Sequence, residues 1–368
     1  MKHLFIRALG LTILAFVPSH VLAVEFAVVG PRAAGMGGAG VAITTDALAT
    51  YWNPAGLAMT QTVDIRIVGT GQGVDRLGVR QTLDDIKNFA PGNASAAQGL
   101  ADRINGGTIS AAAAGGLYFK GHFGEHAFGF NISDVATGGA FVDPNNRFRQ
   151  VGGNVQGAFL LRGLEARQAA FSYAYAFADK TFAIGVTAKA IQGAAYAGSA
   201  TVTGGQDVTL TDSLGKAKLS SAFSIDVGAI YRPASWLRFG VVAKDLTQPV
   251  FDAPDGTKFK MLPQVRGGVA VNPYSSLTLT ADMDVTSNKT FVPGIKSQVL
   301  SVGAEQTILN EFLSLRVGAF KNVQDAGATI TPTAGIGLRV FALRVDIGGG
   351  YDFRERGALA SGSISLTF

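Results

Sequence analysis

From Phe223 onward the chain alternates apolar and polar residues in short bursts. Phe223, Ile225, Val227, Ala229 and Tyr231 are interleaved with Ser224, Asp226 and Gly228. Leu277, Leu279, Ala281, Met283 and Val285 alternate with Thr278, Thr280, Asp282 and Asp284. Leu343, Val345 and Ile347 alternate with Arg344, Asp346 and Gly348, and the chain ends with Ile364, Leu366 and Phe368 against Ser363, Ser365 and Thr367. A period of two puts the two sets on opposite faces of a strand. Such bursts predict strands near 62–73, 107–119, 125–137, 166–178, 181–193, 219–231, 235–246, 262–272, 276–286, 296–307, 311–322, 328–340, 342–352 and 359–368.

Alternation alone does not say which face is wet. A soluble sandwich turns its apolar set inward, and a membrane barrel turns it outward. Three features favour the barrel. The strands number fourteen, an even count. Connections after the even-numbered strands are short, as at Ala178-Asp179-Lys180 and Asn272-Pro273-Tyr274-Ser275, whereas those after the first, third, fifth and seventh are long. Aromatic residues crowd the short-turn ends: Tyr118, Phe123, Phe177, Phe182, Tyr231, Trp236, Tyr274, Phe312, Phe341 and Phe368. Short turns at one end, longer loops at the other and aromatic girdles at the interfaces are the barrel pattern. The predicted fold is therefore all-β: a transmembrane antiparallel β-barrel of about 14 strands over residues 62–368. Its closure pairs every backbone amide, which hydrocarbon demands.

Composition agrees with export and with strands rather than helices. Lys2 and Arg7 head an apolar core, Ala8 to Val17, and Val21-Leu22-Ala23 has the small-residue pattern of a cleavage site. Residues 1–23 read as a signal peptide, its core too short for a spanning helix, which needs ~20 apolar residues. Charged residues make up only 15%, glycines number 48, and cysteine is absent, so the fold is held without disulfides. The formal charge of +5 falls to +3 once Lys2 and Arg7 are removed, too little over this length to argue for nucleic acid.

Residues 24–61 precede the first strand and hold the densest glycine run. Gly35-Met36-Gly37-Gly38-Ala39-Gly40 fits G-x-G-x-x-G. A dinucleotide site needs a strand before that motif and a helix after it; here an export signal precedes and strands follow. The alternative is a segment that threads and fills a narrow space, since glycine permits tight turns and close approach. Thr44 or Thr45 is placed to cap a short helix through Tyr51, and Asn53-Pro54 ends it.

The same residues carry a resemblance. Gly30, Arg32 to Ala42, Asp46-Ala47 and Tyr51-Trp52-Asn53-Pro54-Ala55-Gly56-Leu57 resemble the N-terminus of the FadL-like outer-membrane proteins. That superfamily includes long-chain fatty-acid and aromatic-hydrocarbon transporters, PorV-like secretion proteins and a conjugal-transfer TraF-like set. The resemblance implies that residues 24–61 fold into the barrel as a hatch, with Gly35, Met36, Gly37, Gly38, Gly40, Asn53, Pro54 and Ala55 as its motif. A tail lying outside the barrel is the alternative.

Other candidates follow from the phase of each strand. Lumen-facing charges include Asp226, Lys244, Arg266, Asp282, Asp284 and Arg316, and counting back from Pro273 sets Arg266 opposite Asp282 and Asp284 as a wall-stiffening ladder. The loop 74–106 reads as two short helices around Pro91, with Ile86 and Phe89 on the first and Leu100 and Ile104 an i, i+4 pair on the second. These form either a greasy rim for solutes or the core of a loop that covers the mouth. In the third strand Asp134 continues the outward phase of Phe128, Phe130 and Ile132. Either a bulge near Ser133 turns it, matching the kinked third strand of FadL-like transporters, or it has cleared the hydrocarbon. His122-Phe123-Gly124-Glu125-His126 fits an inverted zinc-protease pattern, but that chemistry needs a helix and these residues lie in a short turn.

No catalytic constellation, metal site or cofactor is read from the chain. The expected function is a FadL-type outer-membrane channel for passive uptake of hydrophobic small molecules, fatty acids or aromatic hydrocarbons. The alternative is a PorV-like or transfer-related barrel that docks a protein partner at its outer loops. Either would meet lipid bilayer and lipopolysaccharide outside, and Phe368 resembles the signal read by the barrel-assembly machinery.

Overall fold

The structure is a computed structural model and describes residues 21–22, 27–208, 210–292 and 294–368. Apart from residues 21–22, the expected signal peptide lies outside the described residues.

Fourteen strands close into one antiparallel barrel. They are β1 (Asp64–Arg76), β2 (Thr108–Phe123), β3 (His126–Val142), β4 (Asn154–Phe177), β5 (Phe182–Thr203), β6 (Lys218–Ala234) and β7 (Leu237–Lys244). The second half comprises β8 (Gln264–Tyr274), β9 (Leu277–Asp284), β10 (Val299–Ile308), β11 (Leu313–Asn322), β12 (Thr331–Val340), β13 (Leu343–Asp352) and β14 (Gly357–Thr367). Each pairs with its chain neighbour, and β14 returns to pair with β1 from Asp64↔Thr367 to Val74↔Gly357. Closure leaves the ring without an edge strand.

The phase of every strand puts its apolar set outside. Ile347 is 58% exposed and Leu279 42%, whereas Asp346 and Asp282 are only 1% and 2% exposed. A sandwich core built from Leu279 and Val345 is thereby excluded. Phe123, Phe177, Phe182, Tyr231, Trp236, Tyr274, Phe312, Phe341 and Phe368 are exposed around the short-turn end, as expected of a girdle. Tyr118 is a correction: it is fully buried and faces the lumen, in phase with the inward Lys120, while its neighbour Phe119 points outward.

β4 and β5 are longer than the expected 166–178 and 181–193. Their hairpin continues past the barrel rim because Val155, Phe159, Leu161, Ala200 and Val202 pack under the first long loop. That loop forms two helices, α1 (Val79–Lys87) and α2 (Ala94–Ile104), the second capped by the Asn93 side chain accepting from the Ala96 amide at 3.0 Å.

The third strand is regular. Ser133 and Asp134 pair in unbroken register with Gly116 and Gly115 on one side and with Gln168 and Arg167 on the other. No bulge turns Asp134 inward; it stays on the outer face, 3.3 Å from Arg167.

The segment 27–59 lies inside the ring and is almost wholly buried. It contains two single turns of helix, Pro31–Gly35 and Ala49–Trp52, and a 3-10 turn, Pro54–Met59. The cap expected at Thr44 or Thr45 is not formed. The second turn begins only at Ala49, after Asp46 Oδ1 accepts from the Leu48 amide at 2.9 Å, and Asn53 caps the 3-10 turn instead.

If the outer face meets lipid, Val317→Arg on β11 should destabilise the barrel in bilayers by about 2–4 kcal/mol, read as a shifted midpoint in urea refolding into vesicles. An unshifted midpoint would remove the assignment of that face to hydrocarbon.

Candidate functional site

The site is the lumen, and glycine shapes its wall. Gly303 of β10, Gly318 of β11, Gly335 of β12 and Gly348 of β13 face inward where the N-terminal segment passes. An added Cβ on Gly318 would sit 2.5 Å from the Gly37 nitrogen, and one on Gly335 would sit 3.2 Å from the Gly35 Cα. On the opposite wall Gly240 gives room to the Val41 carbonyl, 2.7 Å from such a Cβ, and Gly185 and Gly228 give room to Asn53-Pro54. Backbone therefore lies directly on backbone. Gly37 and Gly38 adopt φ of 69° and 81°, a region that L side chains rarely occupy, so the turn itself requires them.

Wall side chains then satisfy the segment's backbone groups. Asp282 Oδ2 accepts from the Gly40 and Val41 amides at 2.7 and 2.8 Å. Thr333 Oγ1 accepts from the Gly37 amide at 2.9 Å and donates to the Gly35 carbonyl at 3.1 Å. Thr70 accepts from the Gly30 amide at 3.1 Å, and Asp64 from the Ala47 amide at 2.9 Å. Lys120 Nζ donates to the carbonyls of Thr45 and Thr60 at 2.7 and 2.9 Å. Buried backbone groups need such partners.

Charge adds a second lock. Arg32 of the segment pairs with Glu305 of β10 at 2.6 Å, and Glu305 also takes Arg316 of β11 at 2.6 Å. Arg316 reaches Asp346 of β13 at 2.7 Å, and Asp346 is shared with Arg344 at 3.1 Å and Arg66 at 3.9 Å. Arg66 closes the circuit on Asp64 at 3.3 Å and on Asp46 of the segment at 3.1 Å. Across the lumen Lys189 binds Asp226 at 2.7 Å and Asp245 at 2.6 Å.

Toward the long-loop end the lumen opens into a cavity of about 230 Å³. Ala27, near the start of the described segment, lines it, together with Val74, Ala112 and Leu359 of β1, β2 and β14. The loop after β9 folds in to add Phe291, Val292 and Ile295, with Phe291 packed on Phe259 at a centroid distance of 5.5 Å. Arg76, Asp325, Asp352 and Glu355 supply its charged lining.

The residues named from sequence are thus sorted. Gly35, Met36, Gly37, Gly38, Gly40, Asn53, Pro54 and Ala55 lie together inside the barrel and are buried. Asp226, Lys244, Arg266, Asp282, Asp284 and Arg316 all face the lumen and are buried. Arg266 pairs with Asp284 at 2.6 Å as a cross-strand ladder, but Asp282 is drawn to the segment's amides. Ile86, Leu100 and Ile104 are buried, with Phe89 beside them, in a core shared with Phe148 and Phe159. These four form the interior of a packed loop and not an open rim.

Sequence reasoning missed Arg32, Asp46, Asp64, Arg66 and Lys120. The last three were legible in principle, since each keeps the inward phase of its strand. His122 lies on β2 and His126 opens β3, its Nδ1 2.6 Å from the Tyr173 hydroxyl; only Gly124 and Glu125 form the turn between them. Among the described residues no three or more His, Cys, Asp or Glu side chains gather in a metal-binding group.

Residues 50–284 match the family model described as "F plasmid transfer operon, TraF, protein". The chain belongs to this TraF family. The match begins one residue before the Tyr51 to Leu57 motif and runs through the first nine strands of the TraF-family barrel. No curated protein sequence matches it. Several solved structures share its fold. The Ralstonia pickettii toluene transporter TbuX aligns over 92% of this chain and 97% of its own at 17% identity, with a TM-score of 0.52. The P. putida toluene transporter TodX aligns over 92% and 96% at 12% identity, with a TM-score of 0.54. The monoaromatic hydrocarbon channel CymD aligns over 92% and 96% at 15% identity, with a TM-score of 0.57. The FadL-like resemblance read from Gly30 to Leu57 is therefore met twice, by its TraF-like branch in sequence and by its hydrocarbon channels in fold.

Replacing Asp282 by Ala leaves two buried amides without an acceptor, at a cost of about 1–3 kcal/mol each. Faster hydrogen exchange at Gly40 and Val41 in the purified variant is the expected result, with the barrel strands unchanged. Equal protection in both proteins would show that Asp282 does not seat the segment.

Proposed function

We propose that this chain is a FadL-type channel of the outer membrane that admits hydrophobic small molecules, fatty acids or aromatic hydrocarbons, passively. The observation that carries this reading is the cavity of about 230 Å³ inside the barrel beside the N-terminal segment, whose wall sets apolar side chains such as Val135, Phe291, Phe320 and Leu359 among hydroxyls such as Ser110, Thr137 and Thr331. An apolar cavity of ~150 Å³ stays dry and takes up benzene, so this one has room for a small apolar solute. A polar lipopolysaccharide leaflet blocks such solutes from dissolving into the membrane directly, and a lumenal cavity offers a way around it.

In this reading the long loops face outward and the short turns face the periplasm. Solute enters at the mouth formed by α1, α2 and the loops after β9 and β11, and rests against Phe291, Val74 and Leu359. Segment 27–59 is the hatch. It closes the periplasmic half of the lumen, and solute passes when the hatch shifts along the glycine-lined wall. The regular third strand gives no support to a lateral exit there. A docking role for the loop crown is weakened by the burial of Ile86, Leu100 and Ile104, which have no apolar face left for a partner.

The test is uptake of labelled toluene and laurate into proteoliposomes. Wild-type protein should accelerate entry of at least one of them over protein-free vesicles. Ala112→Trp, which fills the cavity, should lower that entry about tenfold while heat-modifiability on gels stays normal. No acceleration across a broad hydrophobic panel would sink the channel reading.

A further inference from the structure

The polar mouth of the cavity is built in an unusual way. Arg76, at the end of β1, is the one cation among its described lining residues, against three carboxylates, Asp325, Asp352 and Glu355. Arg76 is already engaged. Its Nη1 donates to Asp325 Oδ2 at 2.6 Å and its Nη2 to Asp325 Oδ1 at 3.1 Å, a bidentate pair, and Glu355 lies 3.8 Å away. Planar two-point pairing of this kind is the strongest that a guanidinium makes with a carboxylate.

The loop after β11 is shaped around that pair. Asp325 Oδ1 also accepts from the Gly327 amide at 3.0 Å, and Asp325 O accepts from the Ala328 amide at 3.1 Å. A Cβ on Gly327 would run into Arg76 Nη2, so only glycine leaves the guanidinium its place. Arg76 holds the Asp325 carboxyl below the usual carboxylate range, chiefly through their hydrogen bonds. The remaining acids outnumber the lining cation: Asp352 is held by Thr329 and Thr331, and Glu355 has the more distant side of Arg76 and the field of the exposed Arg354. Nearby Arg354 is exposed, and Arg356 turns away to Gln81 at 3.2 Å.

We propose that Asp325 is a specificity residue: by occupying Arg76 it denies that guanidinium to a solute carboxylate, so the cavity selects uncharged hydrophobic molecules over their acid counterparts. A carboxylate entering the cavity meets Asp352 and Glu355 while the lining cation Arg76 is already paired with Asp325, and like charges in a partly desolvated site repel strongly. A neutral molecule of the same shape meets apolar side chains and uncharged hydroxyls and suffers no such repulsion. The inference rests on the channel reading and narrows its substrate class.

The experiment uses a matched pair, benzyl alcohol and benzoate, titrated calorimetrically into the full-length protein in detergent at neutral pH. Wild type should bind the alcohol at least about tenfold more tightly than the acid. Asp325→Ser frees Arg76 and should narrow that ratio by about tenfold or more, mainly by tightening benzoate. Asp325→Asn, which keeps an oxygen for the Gly327 amide and so guards against a collapsed loop, should move the ratio in the same direction. Arg76→Gln should leave benzoate weak, because the acids remain. Benzoate binding as tightly as the alcohol to wild type, or an unchanged ratio in both Asp325 variants, overturns the selectivity and leaves the channel reading standing. Failure of wild type to bind either compound overturns both.

Discussion

Eight ionised side chains at the short-turn end of the lumen form one electrically balanced circuit, and the rest of the interior depends on it. Arg32, Arg66, Arg316 and Arg344 alternate in space with Asp46, Asp64, Glu305 and Asp346. Six of the eight come from four strands of the wall, and two from the N-terminal segment. A buried charge without a partner costs several kcal/mol, so each member is tolerable only while its neighbours are in place. The seat of the segment and the pairing of the wall charges are therefore one condition. Withdrawing Arg32 would leave Glu305 to Arg316 alone, and withdrawing Asp46 would leave Arg66 to Asp64 and a distant Asp346.

Shape complements charge. The inward glycines remove the side chains that would otherwise hold a backbone segment away from the wall, and the freed surface is used by amides and carbonyls on both sides. Contacts of this kind are short, directional and numerous. They favour movement of the segment as a unit over gradual loosening, because close-packed interfaces have discrete arrangements. The segment has its own internal ties that preserve it as a unit, with Trp52 Nε1 donating to the Val29 carbonyl at 2.8 Å and the Tyr51 hydroxyl to the Ala27 carbonyl at 2.7 Å.

The two ends of the lumen differ in kind. One end is polar and filled by the segment. The other narrows from loops with apolar cores to a cavity bordered by Phe291 and Leu359, its charges confined to the mouth. On the proposed channel reading, a solute moving inward would leave water at an acidic rim, enter a chamber of mixed apolar and hydroxyl lining and then face the seated segment. That order suits a solute whose affinity for the chamber is modest and whose progress depends on the segment shifting.

Sequence alone determined the barrel, because a period of two in side-chain polarity reports which face a strand shows to water whatever its partners are. The even count, the alternation of short and long connections, the outward set from Phe223 to Phe368 and the inward Asp226, Arg266, Asp284 and Arg316 were all legible for that reason. So was the N-terminal glycine motif, whose spacing marks backbone needing close approach. Tertiary structure decided what those residues touch. Asp282 binds two amides about 240 residues earlier in the chain, Tyr118 leaves the aromatic girdle for the lumen, and Ile86, Leu100 and Ile104 close on Phe148 and Phe159. Arg76 and Asp325 meet only because the ring closes between β1 and β14 and brings the loop after β11 across the mouth. Periodicity is local and survives in one dimension; partnership across a closed sheet depends on register and curvature, which exist only once the chain has folded.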